Sequence, residues 1–295
     1  MRINVINQLF RVAIITAGTI IMPFALAEQT AVLSQVGEGN NSAITQTGSE
    51  HVLAESYIWG NGNTTSITQS NVTDSVASIY QTASGNRGTI VQSDGSNLSA
   101  YINPLNTVGT GQNNVAQISQ SGNDQFMTIT QGSTGGMIIE DTGGSSNSAT
   151  AVQAGSFNTA TIGQPGSYNV ALLSQTGKGA SAADTNTALI DQSGTGHHAS
   201  LSQTGHLLEA TLLQTGTDHF AESIQQGSDG LSWISQTGNG NHALVTQING
   251  GAGANSSVIT QSASGNTATV FQSGSNLTST LSQTGNFNTA IVTQN

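Results

Sequence analysis

Side chains able to do acid–base, metal or redox chemistry are scarce in this chain of 295 residues: 6 His, 15 Asp and Glu, 4 Lys and Arg, and no Cys. Serine is abundant, but no Gly-x-Ser-x-Gly elbow occurs and no His and Asp are spaced to activate a nucleophile. Lys178 lies in Gly177-Lys178-Gly179 without the spacing of a phosphate-binding loop. The acids are too scattered for a calcium loop and sit mostly near turns, where they confer solubility. We therefore expect no enzyme, no cofactor and no metal. His197 and His219 alone share a column, being 22 residues apart. Such a pair could bind a metal, could repel when protonated in mild acid, or could stand in for Asn at a turn. His198, His206 and His242 mark no site by spacing.

The chemistry the sequence repeats is that of the amide side chain. Gln153, Gln164 and Gln175 are eleven apart, as are Gln192, Gln203, Gln214, Gln225, Gln236 and Gln247, and then Gln261, Gln272, Gln283 and Gln294. Upstream, Gln35, Gln46, Gln69, Gln81, Gln92, Gln120 and Gln131 keep the beat with small insertions, and Ile58, Asn103 and Thr142 take the missing beats. Counted from each Gln, Gly is favoured at +2 (Gly155, Gly166, Gly177, Gly194, Gly205, Gly216, Gly227, Gly238, Gly274, Gly285). Asn is favoured at +5 (Asn158, Asn169, Asn241, Asn266, Asn288), Ala at +7 and an aliphatic at +9. Positions +5, +7, +9 and +11 share one parity, the signature of a strand with one buried face, and Gly supplies the reversal. A helical eleven-residue repeat is excluded by the Gly, Thr, Asn and Ser content.

Two units make one coil of a two-sheet β-solenoid. The fold class expected is all-β, with about eleven 22-residue coils over residues 28–295 and a rod of roughly 55 Å. Buried Gln and Asn would hydrogen-bond up the stack as amide ladders, and Ala at +7 keeps the sheets close. Six extra residues in Asn103–Gln120 and in Gln175–Gln192, and three in Gln247–Gln261, are expected to bulge from one edge of the rod. Glu140 falls on the inward parity, so a local bulge must turn it outward, or it acts as a gatekeeper that slows premature assembly. Trp59, Trp233, Tyr57 and Phe271 face outward on separate coils.

Composition agrees with repetition rather than a globular core: 6% of residues are charged, 4% are aromatic, and Gly alone supplies 36. Four basic residues exclude a nucleic-acid footprint. Arg2 and Arg11 precede the apolar run Val12–Phe24, which ends in Ala25-Leu26-Ala27. That is the pattern of a secretory signal peptide over residues 1–27, too short for a membrane span. Its removal takes the net charge from −11 to −13 and leaves no integral membrane segment.

The units Gln153-x4-Asn158-x5-Gln164, Gln164-x4-Asn169-x5-Gln175, Gln236-x4-Asn241-x5-Gln247 and Gln283-x4-Asn288-x5-Gln294 resemble the curlin repeat. Curlins are secreted subunits of curli, the functional amyloid fibres of bacterial surfaces. The resemblance implies a homopolymer fibre outside the cell that serves adhesion and biofilm formation, with a nucleating minor subunit and a dedicated outer-membrane secretion system as partners. The slot six residues before the first Gln is often Asn here, as at Asn158 and Asn169, where curlins usually have Ser. The strand pattern begins at once with Gln29, Ala31, Leu33 and Gln35, without the family's separate N-terminal segment. The basic last repeat of the minor subunit is absent, so the chain resembles the major one. Terminal units that match the internal ones, from Gln35 and up to Gln294, imply uncapped ends. The other reading is a non-polymerising secreted solenoid, either a surface adhesin or an ice-binding protein. The outward slot before each Gln varies among Ser34, Thr45, Tyr80, Val91, Asp191, Leu213 and Phe271, which is not the flat Thr array that ice requires.

Overall fold

Alternating small, aliphatic and amide residues on one parity give each unit a strand with one apolar face, and such a face is stable only against another. A computed structural model describes residues 19–21, 29–82, 84–104, 113–131, 146–177, 185–251 and 253–295. Its strands are β1 (Thr19–Ile21), β2 (Gln29–Val36), β3 (Asn41–Thr47), β4 (Val52–Trp59), β5 (Thr64–Thr73), β6 (Val76–Thr82) and β7 (Arg87–Pro104). They continue as β8 (Val115–Gln131), β9 (Ser148–Ser156), β10 (Asn158–Gln164), β11 (Gly166–Ser167), β12 (Val170–Gly177), β13 (Asn186–Thr195) and β14 (His198–Thr217). The last are β15 (Phe220–Asn239), β16 (His242–Ile248), β17 (Asn255–Gln261), β18 (Thr267–Ser273), β19 (Thr278–Gln283) and β20 (Thr289–Gln294). There is no helix among the described residues.

All pairings are parallel, and they sort the strands into two stacks. Stack A runs β1, β3, β5, the first half of β7, the first half of β8, β9, β12, the first halves of β14 and β15, β16, β18 and β20. Stack B runs β2, β4, β6, the second halves of β7 and β8, β10, β13, the second halves of β14 and β15, β17 and β19. The molecule is thus a parallel β-solenoid of about 10 turns, as the period implies. At one strand spacing per turn the rod is about 50 Å long.

The inward columns follow the expected parity, as Ala160, Ile162 and Gln164 or Ala199, Leu201 and Gln203 show, all essentially buried. At two places where Ser takes an aliphatic slot, a second hydroxyl faces it, whereas Ser257 and Ser279 in the Ala slot have buried hydroxyls without a partner. Ser223 donates to Ser232 across the interior (2.8 Å), and Ser42, Ser56 and Thr65 form a hydroxyl cluster at 2.6–3.1 Å. Such a partner offsets the cost of burying a hydroxyl.

Two beats differ from expectation. Gln120 bonds directly to Gln153 and β8 pairs with β9 in register, so no rung stands between them and Thr142 is not a beat. Register also places Pro104, not Asn103, opposite Gln131, while Asn103 pairs with Thr130. Losing the Thr142 beat switches the stack to which every later unit belongs. The excursions after Pro104 and Gln131 therefore cross from stack B to stack A, whereas those after Gln175 and Gln247 cross from A to B. The connections that carry the insertions thus run in both directions between the stacks, not in the one direction expected. Residues 105–112, 132–145 and 178–184 themselves lie outside the described residues. Glu140 and Lys178 lie outside the described residues, as does the expected signal peptide apart from Thr19–Ile21, which pairs with Ala43–Thr45 of β3.

Candidate functional site

The glutamine at the end of each strand points inward with a side chain long enough to reach the next coil. In stack A, Gln46, Gln69, Gln92, Gln120, Gln153, Gln175, Gln203, Gln225, Gln247, Gln272 and Gln294 form one unbroken series. Each Nε2 donates to the Oε1 of the next at 2.8–3.0 Å. In stack B, Gln164, Gln192, Gln214, Gln236, Gln261 and Gln283 do the same at 2.8–3.0 Å. The second Nε2 hydrogen crosses the interior to a carbonyl near the start of the facing strand, as Gln203 does to Thr187 (3.1 Å) and Gln214 to His198 (3.2 Å). Each rung thus ties its coil to the next and its sheet to the other. Both donors and the acceptor are used, which is what a buried amide requires.

Asparagine acts differently from the ladder expected of it. Asn40, Asn63, Asn86, Asn114, Asn147, Asn169, His197, His219, Asn241, Asn266 and Asn288 form one column where the chain enters stack A. The Oδ1 of each Asn, or the Nδ1 of each His, accepts the backbone N–H of the next member at 2.9–3.3 Å. Several of the Nδ2 groups hold the carbonyl four residues earlier, as Asn241 does to Thr237 (3.0 Å) and Asn266 to Ser262 (2.8 Å). One methylene shorter than Gln, Asn clamps backbone rather than its own kind. At the other edge Asn158 donates to Ala154 O (2.8 Å) and accepts from Asn186 Nδ2 (3.2 Å), the one Asn–Asn side-chain bond among the described residues.

The turn glycines form a column on each edge. Gly155, Gly166, Gly194, Gly205, Gly216, Gly227, Gly238, Gly274 and Gly285 have φ between 85° and 142°. Gly177 lies outside that region. A Cβ there would meet Ser156 O and the Asn158 amide, so space rather than conformation demands Gly. A Cβ on Gly205 would run into the carbonyl of Gly227, and one on Gly216 into that of Gly238.

Several features escaped the spacing. The turn needs a second positive φ at +4, met by Gly196, Gly240 and Gly265 but also by Phe157, Tyr168, Leu207, Asp218, Asp229 and Phe287. Outward rings stack where they were expected to be isolated: Tyr57 on Tyr80 (4.9 Å), and His198 on Phe220 on His242 (5.1 and 4.5 Å). Columns counted back from each beat would have found both, Tyr57 and Tyr80 standing one residue before the beats Ile58 and Gln81. Tyr80 donates to Glu55 (3.2 Å), and its phenol is pushed up to about 12 by desolvation first and then by that carboxylate. Trp59 and Trp233 stay outward, at 64% and 39% exposure. Among the described residues no three His, Cys, Asp or Glu gather to hold a metal, and no helix is long and apolar enough to cross a membrane.

The ends differ from the middle. Val292 and Ala290 of β20 are only partly buried, whereas Val270 and Ala268 above them are fully buried. Ile291 and Phe287 are 71% and 82% exposed. At the opposite end Gln46 Oε1 is buried without a hydrogen-bond partner.

Fold and ladders together define a polar-core, parallel β-solenoid built of amide-linked strand–turn units. The family model of the curlin associated repeat matches this chain at residues 144–177, 182–205 and 263–295. No curated protein matches it.

Proposed function

We propose that the chain is the structural subunit of an extracellular, curli-like amyloid fibre that polymerises through the ends of its solenoid and serves adhesion and biofilm matrix. The curlin repeat matches support the class, and the even run of units without a basic last repeat favours the fibre-forming major subunit. A nucleating minor subunit and an outer-membrane secretion pore are its partners in this reading.

One observation carries the polymerisation: the ladder of stack A has an unanswered acceptor at Gln46 Oε1, and each rung above the last donates downward. A second copy that has lost residues 1–27, and with them the β1 strand that pairs with β3, can be set below β20 in the rod's own register, where it brings its Gln46 Oε1 to Gln294 Nε2 and its Asn40 N–H to Asn288 Oδ1. It also covers Ala290 and Val292. Opposed copies would instead bring donor to donor, so growth is head to tail.

Purified residues 28–295 should form fibres with the ~4.8 Å cross-β reflection and should be accelerated by seeds. A chain that stays monomeric without that reflection sinks the reading. The register has its own check, because the chain has no Cys. Thr45→Cys with Thr293→Cys places two thiols in adjacent strands, within the ~4.4–6.8 Å Cα range of a disulfide, and should cross-link fibres into covalent oligomers.

A further inference from the structure

His197 and His219 interrupt the asparagine column, and they take over both functions of the amide. His197 Nδ1 accepts His219 N–H (3.3 Å), and His219 Nδ1 accepts Asn241 N–H (3.1 Å). Those acceptor roles fix the Nε2–H tautomer, and each Nε2 donates to the carbonyl four residues back, Ser193 O and Thr215 O, at 3.1 Å. The rings stack at 5.1 Å with 4° between planes, and both residues are 1% exposed. Every ring nitrogen is engaged, so no lone pair is left for a metal.

We propose that this pair is an acid-sensitive break point in the rod: protonating either Nδ1 replaces an acceptor by a donor that faces a backbone N–H, and parts the coils at the 197/219 and 219/241 steps. Asparagine elsewhere in the column has no such chemistry, because its Oδ1 cannot be protonated in this range. The inference rests on the solenoid alone and does not require the fibre.

The surrounding charges do not rescue the cation. Asp218 is the carboxylate that favours protonation of both rings. From the packed strands, β12 brings no charged side chain, β13 brings Asp191, β14 brings His198, His206 and Glu209, β15 brings Glu222 and Asp229, and β16 brings His242. Burial dominates and holds both imidazoles below the ordinary value of 6.5. The folded chain therefore binds fewer protons than the unfolded chain. Stability from these groups is complete above about pH 6.5 and is lost as pH falls through the lowered folded values.

The test is hydrogen exchange of the full chain, read by peptide mass and corrected for intrinsic rates, at about pH 7.5 and about pH 5. Protection of Ala199–Gln203 and Ala221–Gln225 should fall about tenfold or more in acid, since each proton taken up on opening changes the equilibrium about tenfold per pH unit. Protection of β3 and β5, clamped by Asn throughout, should not change. His197→Asn with His219→Asn restores the column's usual residue and should abolish the acid loss. His198→Thr with His242→Thr, on the outer face, should leave it in place. Equal acid loss in the double Asn variant, or none in the unmodified chain, overturns the proposal.

Discussion

The two stacks are built from the same unit, yet they are held unequally. Stack A has a Gln rung in every coil from Gln46 to Gln294, and the unbroken Asn and His column stands where its strands begin. Among the described residues, the ladder of stack B runs from Gln164 to Gln283. Above that, register brings Ile58 alongside Gln81, whose Nε2 and Oε1 are both buried without a partner. The edge leading into stack B is as mixed, with Ser75, Leu98, Asn186 and Leu208 where stack A has Asn or His. The comparison teaches that one ladder and one clamp column, at opposite ends of the same strands, suffice to fix the register of the whole rod. It also explains why coils above residue 144, which the family model does not match, still stack in register with those below it.

Both stacks share the glycine columns, so substitution there should harm them alike. Gly122→Ala and Gly216→Ala each put a Cβ into the carbonyl of the neighbouring turn, at Gly155 and Gly238, with φ at 106° and 126°. Relief requires the coils to separate and their hydrogen bonds to lengthen. We expect a loss on the order of 4 kcal/mol for each, the largest effect named here, read by urea unfolding of the soluble chain before assembly. A much smaller loss at Gly122 would show that the upper coils are already spread apart.

Ladder substitutions should separate the regions by sign. Gln214→Leu leaves Gln192 Nε2 without its acceptor and Gln236 Oε1 without its donor, and it frees the carbonyl of His198. Unsatisfied buried groups of this kind cost about 1–3 kcal/mol each, so a loss of about 3 kcal/mol is expected. Gln81→Leu removes two orphaned atoms beside Ile58 and should stabilise by about 1–2 kcal/mol. The same sign for both variants would mean that the ladder contributes no more than the volume of its side chains.

How much of this could be read beforehand follows from what spacing can encode. Parity, the Gln rungs and the two-faced stacking are properties of interval alone, and Gln203, Gln225 and Gln247 stand where the interval puts them. Interval cannot distinguish a strand unit from an excursion of similar length. The eleven residues from Gln131 to Thr142 counted as one strand–turn unit, and the direct Gln120–Gln153 bond leaves no rung for that unit in the stack. Nor does spacing reveal reach. Gln and Asn carry the same amide, but the shorter side chain stops at the backbone, so the two columns differ in kind. His197 and His219 were legible as a stacked pair but not as acceptors, because that depends on which ring nitrogen meets the next N–H.

The second positive φ of each turn was hidden for a different reason: the residues that adopt it are ones that resist it. Tyr168 (φ 59°) on the edge into stack A and Leu207 (φ 56°) on the edge into stack B hold the slot that Gly196, Gly240 and Gly265 hold elsewhere. Left-handed backbone costs a non-Gly residue about 1–2 kcal/mol, whereas Gly adopts it freely at some cost in unfolded-state entropy. Both side chains are largely outside the interior, at 63% and 39% exposure, so little packing is lost with them. Tyr168→Gly and Leu207→Gly should each stabilise the soluble chain by about 0.5–1 kcal/mol. Unlike the ladder variants they should do so equally, since the strain is confined to one residue and does not depend on which stack follows. An unequal pair would place part of the difference between the stacks in the turns themselves. The measurement is the shift in urea midpoint at unchanged slope, which separates a stability change from a change in the surface exposed on unfolding.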